Sequence, residues 1–238
     1  MTWSILARDD KGRLGAAIAS RFFAVGALCV HARRGVGILS TQALMNPLYG
    51  ARGLELLASG RTPREAVEVL TGADAGRDQR QLHILPAQGS PAAWTGAACV
   101  EWCGHREAED FSVAGNMLAG AQVLEATAEA FQASRGQDLA VRLLAALAAG
   151  EAAGGDKRGK QAAALRIQGD EDYAALDIRV DDHAEPVQEL QRLYEKSLER
   201  YQPFMACLAG RNDPVGVTDR AVIEERIARF QREHGSGG

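Results

Sequence analysis

Residues 154–161, written GGDKRGKQ, carry the densest run of side chains that could take part in chemistry. Glycines bracket Asp156, Lys157 and Arg158 just before an apolar run, which predicts a tight loop that presents charged groups to a ligand. The segment does not complete the phosphate-binding pattern G-x4-G-K-[ST], and no helix follows it. The alternative is a solvated charged turn, whereas a binding loop of this composition suits an anionic substrate.

Two further groups of reactive side chains are weaker candidates. Residues 181–183 read Asp-Asp-His, in which a carboxylate beside a histidine could form an acid–base pair, although a strand-to-helix connection with a capping residue explains them better. Cys99 and Cys103 form a C-x3-C pair near His105, but no second ligand pair follows at a spacing typical of zinc sites. We therefore predict no metal site and no cofactor.

The elements that must position these residues are read from the spacing of apolar residues. Four strand-like runs open the chain, and we expect them to form one antiparallel sheet. Apolar residues then recur at helical spacing between Leu54 and Leu70, where Thr62 and Glu65 form a capping-box pattern, so two short helices should follow. The four runs are residues 3–8, 14–19, 24–31 and 35–42.

The second part of the chain repeats this order of strands and helices. Four short runs predict a second sheet, two helical segments follow it, and a hairpin around Gly169 closes the domain. The order predicts an α+β fold, a four-layer αββα sandwich of two stacked antiparallel sheets between helical layers. The strand runs are residues 81–85, 92–95, 100–102 and 111–114, the helices 121–131 and 138–147, and the hairpin 162–168 and 173–180.

The C-terminal residues are polar and helical. We predict one domain over residues 1–200 and a helical tail over 201–238, with a helix near 222–230 and a disordered end at 235–238. An apolar stripe along residues 187–198 exceeds what one side of a sandwich must cover, so we expect a homodimer or a higher homo-oligomer.

Six clusters, spaced along residues 2 to about 195, resemble those of one known family. They are residues 2–9 (TWSILARD), 19–26 (ASRFFAVG), 40–50 (STQA, NP and YG), 115–118 (GNML), 154–161 (GGDKRG and Gln161) and 179–183 (RVDDH). Together they are similar to the domain-of-unknown-function 1028 family of the N-terminal-nucleophile (Ntn) hydrolase superfamily. The resemblance implies the same αββα architecture.

The resemblance also implies a role for Thr2. In that superfamily the first residue after processing supplies both the nucleophile and the base, so the mature chain would begin at Thr2. A threonine hydroxyl is a weak nucleophile, but a free α-amine with a pKa of about 7.7–8.0 can accept its proton near neutral pH. The alternative is that Thr2 merely begins an edge strand, where β-branched residues are favoured.

The same resemblance singles out residues that would surround Thr2. Gln42 closes the fourth strand and Asn116 follows Gly115, and an amide at either position could stabilise an oxyanion, although Asn116 could instead cap a helix. Arg21 ends the second strand, where it could orient a substrate carboxylate or be a surface arginine. The expected substrate-binding residues are Arg21, Asp156, Lys157, Arg158 and Gln161, and we expect the 156–158 loop to line the same pocket as Thr2.

The function predicted from these residues is that of an amidohydrolase. It would cleave a small amide or another C–N bond through an acyl-enzyme on Thr2. The alternative is a non-catalytic protein that binds a small ligand in the same cleft, because a fold does not determine an activity.

Composition excludes several classes of function. The 238 residues are 46% hydrophobic and 24% charged, and a net charge of -4 gives no basic patch for nucleic acid. The chain opens without a signal-peptide pattern and contains no apolar stretch of membrane-spanning length, so we expect a cytoplasmic protein that does not act on membranes. Four scattered cysteines do not form a disulfide framework. The expected partner is a small-molecule substrate.

Overall fold

Ten strands form two antiparallel sheets in the structure, a computed structural model that describes residues 2–234. The six-stranded sheet has the order β10-β9-β2-β1-β8-β7, and the four-stranded sheet has the order β3-β4-β5-β6. The strands are β1 (Thr2–Arg8), β2 (Leu14–Ser20), β3 (Val30–Arg33), β4 (Gly37–Ala43), β5 (Arg80–Pro86), β6 (Ala92–Thr95), β7 (Gly104–Glu107), β8 (Phe111–Asn116), β9 (Ala162–Gln168) and β10 (Ala174–Val180).

The helices occupy three places: most cover the outer faces of the two sheets, one packs between the sheets, and the last two pack on the helix before them. They are α1 (Val25–Cys29), α2 (Leu48–Ala58), α3 (Pro63–Gly72), α4 (Gln122–Ala133), α5 (Leu139–Ala152), α6 (Pro186–Glu199), α7 (Tyr201–Met205) and α8 (Arg220–His234), with a 3-10 turn at Arg77–Gln79. α2 and α3 pack on the four-stranded sheet, whereas α4, α5 and α6 pack on the six-stranded sheet. The predicted four-layer αββα sandwich is therefore confirmed.

Strand alternation divides the core between these layers. In β1, Trp3, Ile5 and Ala7 pack with α4 and α5, whereas Ser4 and Leu6 face the other sheet. The space between the sheets is apolar at the end where β1 finishes, around Leu6, and polar at the end where β1 begins, around Ser4. The start of β1 thus faces a polar interior.

Several local predictions are confirmed. Thr2–Arg8 and Leu14–Ser20 form the expected hairpin, and Ala162–Gln168 and Ala174–Val180 form the closing one. Thr62 caps α3 with the complete capping box, because its side chain accepts from the backbone of Glu65 while the Glu65 carboxylate accepts from the Thr62 backbone.

Three predictions about strands are wrong. Residues 24–31 are mainly helical, because Val25 and Cys29, four positions apart, both pack into the space between the sheets; only the end of this run belongs to β3. The first four strands do not share a sheet, since β1 and β2 join one and β3 and β4 the other. Residues 100–102 form no strand; Gly104–Glu107 pairs with β8 instead. Short apolar runs do not distinguish helix from strand or specify their partners.

The apolar stripe of α6 has a partner within the chain. Val187, Leu190 and Tyr194 are buried in the same core cluster as α5 and β9, so the stripe by itself gives no reason to expect a second copy. Homo-oligomerisation therefore stays a prediction, as does a domain boundary near residue 200, beyond which α7 and α8 pack against each other and against α6. The predicted disordered end, 235–238, lies outside the described residues.

Candidate active site

Thr2 lies at the start of an inner strand of the larger sheet. β1 runs between β2 and β8, so Thr2 pairs with Ser20 on one side and with Asn116 on the other. Its side chain is buried, and Oγ1 donates a hydrogen bond to Ser20 Oγ at 3.1 Å. The interpretation of Thr2 as an edge-strand residue is therefore wrong, and two hydroxyl groups and an amide converge where the chain enters the sheet.

Backbone strain is concentrated at the same end of the sandwich. Within residues 2–234, the non-glycine residues with positive φ are Ala24 (52°), Ala43 (67°) and Met117 (51°). Met117 follows the end of β8, Ala43 ends β4, and Ala24 begins the turn into α1 just after β2. Such conformations cost about 1–3 kcal/mol each and cluster at functional sites. Two of the three residues therefore lie just beyond the ends of β2 and β8, the strands that pair with Thr2.

The 154–161 loop joins α5 to β9 and is fastened beside Thr2 through Asp156. The Asp156 carboxylate, whose side chain is only 1% exposed, accepts hydrogen bonds from the backbone N–H of Arg21 at 3.0 Å and of Arg158 at 2.8 Å. The Arg158 guanidinium lies 3.3 Å from the same carboxylate. Since Arg21 directly follows Ser20, Asp156 connects the loop to the strand that pairs with Thr2.

The predicted substrate-binding residues separate into two sets. Arg21, Asp156 and Arg158 are brought together, because the Arg21 guanidinium also donates to the backbone carbonyl of Arg158. Lys157 turns away and donates to the Glu101 carbonyl at 2.7 Å. Gln161 reaches Asp182 at 3.1 Å, in the connection from β10 to α6.

A pocket of about 170 Å³ opens between this loop and the sheet, and its lining includes Trp3, Ser20, Asp156 and Lys160. Gly155 has a φ of +46°, and a Cβ there would lie 3.2 Å from the Trp3 ring, so a side chain would crowd the loop against the sheet. Larger grooves, of about 500 and 1110 Å³, lie between α2 and α3 and at the opposite end of the sandwich. The small pocket is lined by Ser20, the hydrogen-bond partner of Thr2, and by Asp156, but Thr2, Lys157 and Arg158 are not among its lining residues.

Beneath Thr2, a buried polar network joins the two sheets. Gln42 Oε1 accepts hydrogen bonds from Ser4 Oγ at 2.7 Å and Ser40 Oγ at 3.2 Å, and Gln42 Nε2 donates to Gln81 Oε1 at 2.7 Å. Asn116 Nδ2 donates to the same Gln81 oxygen at 3.0 Å. These side chains are all at most 2% exposed, so each polar atom depends on its protein partners.

The network fixes the tautomer of His83, which is fully buried. Because the single hydroxyl proton of Ser4 is donated to Gln42, Ser4 Oγ must accept from His83 Nε2, 2.9 Å away. His83 Nδ1 then accepts from Ser112 Oγ at 3.1 Å. Burial, with a smaller contribution from His105, lowers the pKa of His83 to about 3, so the ring is neutral at physiological pH.

Replacing His83 should weaken the acid sensitivity of the fold. The unfolded chain protonates this histidine near pH 6.5 but the folded chain only near 3, so its contribution to stability is complete above about 6.5 and is lost as the pH falls towards about 3. In His83→Gln, the slope of unfolding free energy against pH should fall by up to ~1.4 kcal/mol per pH unit in this range. Urea unfolding between pH 4.5 and 7 measures it, and an unchanged slope would refute the neutral assignment.

The network also corrects one prediction and adds residues that the sequence did not reveal. Asn116 does not cap a helix, because α4 begins only at Gln122. Gln42 and Asn116 both point into the network. Asn116 pairs with Thr2, whereas Gln42 is separated from Asn116 by the Gln81 side chain, to which both amides donate. Gln81 and Ser4 were missed; the available signal was a polar residue at every second position of otherwise apolar strands.

Two further features bear on function: groups of metal-binding side chains, and helices that could cross a membrane. Among residues 2–234, no group of three or more His, Cys, Asp or Glu side chains is placed to hold a metal ion. Cys99 and Cys103 instead direct their thiols towards backbone carbonyls, and His105 Nδ1 lies 2.9 Å from the hydroxyl of Thr95. No helix of the described chain is long and apolar enough to cross a membrane.

Comparison with known proteins connects this arrangement to one family. The model of the "Family of unknown function (DUF1028)" matches residues 2–190. The crystal structure of protein SPO2555 from Silicibacter pomeroyi, of the same family model, superimposes with a TM-score of 0.85 at 31% identity, covering 92% of this chain and 96% of that one. No curated protein matches the sequence.

Two more distant structures also align. An Anbu (Gly-1) mutant from Hyphomicrobium sp. strain MC1 has 14% identity and a TM-score of 0.43, over 83% of this chain and 95% of that one. Thiobacillus denitrificans BPH in complex with epoxomicin has 14% identity and a TM-score of 0.39, over 69% and 97%. Both are too distant for the role of any residue to be transferred.

Proposed function

This chain belongs to the DUF1028 family, and we propose that it is a hydrolase that cleaves a small amide or other C–N bond with Thr2 as an N-terminal nucleophile. The observation that carries the proposal is the position of Thr2. Its buried hydroxyl, bonded to Ser20, lies at the first residue of an inner strand, where an α-amine on the same residue would be only a few bonds away.

The proposed reaction needs no group outside the site except water. Once Met1 is removed, the Thr2 α-amine takes the proton of Oγ1 as that oxygen attacks the substrate carbonyl carbon. The C–N bond of the tetrahedral intermediate then breaks, and the departing nitrogen takes the proton back from the α-ammonium. The resulting ester on Thr2 is attacked by water, again with the amine as base, which releases the acid and restores Thr2.

The adjoining pocket supports a small substrate. Its volume of about 170 Å³ suits a group of a few heavy atoms, and its wall includes Ser20, whose hydroxyl contacts that of Thr2. The Asp156 carboxylate of the pocket wall contacts the exposed Arg158 guanidinium, and the exposed Arg21 guanidinium donates to the Arg158 carbonyl, so either arginine could bind a carboxylate. We therefore propose a small, carboxylated substrate.

The direct test is chemical labelling of the N-terminus. An epoxyketone reacts with both the hydroxyl and the α-amine of an N-terminal threonine, so one equivalent should add to the peptide that begins with Thr2. Intact mass should show that Met1 is absent from the labelled protein. The labelling rate should rise as the pH passes about 7.7–8.0, where an unperturbed α-amine loses its proton.

The control is the same chain after acetylation of its α-amine, which removes basicity and leaves every side chain at the site unchanged. It should not be labelled. If protein that hydrolyses amides keeps Met1 quantitatively, the Thr2 nitrogen is an amide without useful basicity and the proposed mechanism is wrong. A chain with Thr2 exposed that binds small carboxylates but neither labels nor hydrolyses them would establish the binding-protein alternative.

A further inference from the structure

The buried amide of Gln81 has only one possible orientation. Its Nε2 atom lies 3.0 Å from the carbonyl oxygen of Gly104 and 2.8 Å from that of Gly115, and it also reaches Thr95 Oγ1 at 2.9 Å. Backbone carbonyls can only accept hydrogen bonds, so the nitrogen, not the oxygen, must face them. The Gln81 oxygen is thereby turned towards β1, β4 and β8.

The orientation of the Gln81 amide also determines the orientation of the Gln42 and Asn116 amides. Gln81 Oε1 is contacted by Gln42 at 2.7 Å and by Asn116 at 3.0 Å. Because that oxygen is an acceptor, each contacting atom must be a nitrogen, and Asn116 must direct Nδ2 into the interior. Asn116 is 2% exposed and Gln81 is fully buried, so water cannot readily replace these bonds.

We propose that Gln81 is a positioning residue of the Thr2 site, which fixes the Asn116 amide so that Oδ1 is available to the Thr2 α-amine. Thr2 and Asn116 are paired directly across β1 and β8, and so lie on the same face of the sheet. The inference rests on the proposed function of Thr2, and it makes Asn116 an acceptor that orients the amine rather than a donor to the oxyanion.

The chain offers a matched control for this role. Gln168 is also buried, and its Nε2 likewise donates to two backbone carbonyls, those of Glu171 and Tyr173. It lies at the end of β9 that pairs with Leu14, the opposite end of the sheet from Thr2. Gln81→Met and Gln168→Met therefore remove the same polar group from two buried sites, 0% and 3% exposed, and only the first of these sites adjoins Asn116.

Two measurements separate orientation from reactivity. Asparagine occurs only at positions 46, 116 and 212, so selective ¹⁵N-asparagine labelling gives three side-chain amide signals, whose hydrogen exchange can be followed individually. The second measurement is the rate of epoxyketone addition to Thr2 as a function of pH. In Gln81→Met the Asn116 amide should exchange faster, and labelling should slow roughly 10- to 100-fold. The midpoint of its pH profile should fall, because an acceptor that favours the ammonium is lost. Gln168→Met should change neither.

The outcomes distinguish this proposal from the proposed function. Unchanged Asn116 exchange in Gln81→Met, or an equal loss of labelling in both methionine variants, would overturn the positioning role. Faster Asn116 exchange, with no labelling even of the wild-type protein, would uphold the orientation by Gln81 but overturn the reaction at Thr2. If Gln81→Met does not fold, Gln81→Glu replaces it. As the pH rises, the buried carboxyl ionises and can no longer donate to the carbonyls, so the labelling rate of the variant relative to that of the wild type should fall. A ratio of the two rates that stays constant with pH would refute the positioning role.

Discussion

Thr2→Ala is expected to abolish covalent labelling of the N-terminus and to lower amide hydrolysis by at least about 10³-fold, because it removes the attacking oxygen. The fold should survive. The Thr2 hydroxyl contacts Ser20, and a single hydrogen bond of this kind contributes about 1 kcal/mol. Thr2→Ser should keep part of the reactivity, since hydroxyl and amine both remain. Peptide mapping after epoxyketone treatment and a hydrolysis assay over small carboxylated amides measure both effects.

Thr71→Ala is the matched control for this experiment. Thr71 and Thr2 are each 5% exposed, and the Thr71 hydroxyl donates to the Val67 carbonyl within α3, remote from the site. The control should lose a similar amount of stability and no reactivity. Full hydrolytic activity in Thr2→Ala would contradict the nucleophile assignment, and the catalytic base would then be sought among Asp156, His183 and their neighbours.

Asp156→Ala is expected to have the second-largest effect, on stability as well as on reactivity. The substitution leaves the backbone N–H groups of Arg21 and Arg158 without their acceptor, which should cost about 3 kcal/mol of unfolding free energy. It also releases the segment after Ser20, so epoxyketone labelling of Thr2 should slow. Asp156→Asn should behave similarly if its amide nitrogen faces the Arg21 N–H. Urea unfolding, monitored by circular dichroism, measures the first effect.

Asp177→Ala provides the comparison, because Asp177 also pairs with arginines, Arg166 at 3.2 Å and Arg179 at 3.7 Å, but with its side chain 30% exposed. A pair of this kind contributes at most about 1 kcal/mol, and these pairs lie away from Thr2. If the two alanine variants lose equal stability and label at equal rates, Asp156 does not connect the loop to the site.

The sequence determined those helices and hairpins whose patterns involve only residues close together in the chain. The capping box at Thr62 and Glu65 fixed the start of α3, and the alternation after Thr2, with turn residues at 9–12, fixed the first hairpin. Each pattern depends on neighbours within a few residues, so hydrogen bonding and burial leave one solution. The spaced clusters that resemble the DUF1028 family extended this to the four-layer architecture, and they include Thr2, Arg21 and the 154–161 loop, whose Asp156 accepts from the Arg21 N–H next to the strand that pairs with Thr2.

The tertiary structure alone decided which strands share a sheet. An apolar strand carries no signal for its partner, so the chain can cross between layers after β2, where Val25 and Cys29 form a helix that fills the space between the sheets. The same holds for Asn116: its sequence position suggests a helix cap, but pairing with Thr2 turns its amide into the interior instead.

The contacts of Gln81 could not be predicted from the sequence. Its partners lie at positions 42, 95, 104, 115 and 116, on four different strands, so no spacing in the chain could join them. The sequence determined that a polar residue, Gln81, would lie in an apolar strand, and the alternation of side chains determined which neighbours would share its face of the sheet. Only the stacking of the two sheets decided that this face would be buried against Asn116, because burial is what forces every donor there to find an acceptor.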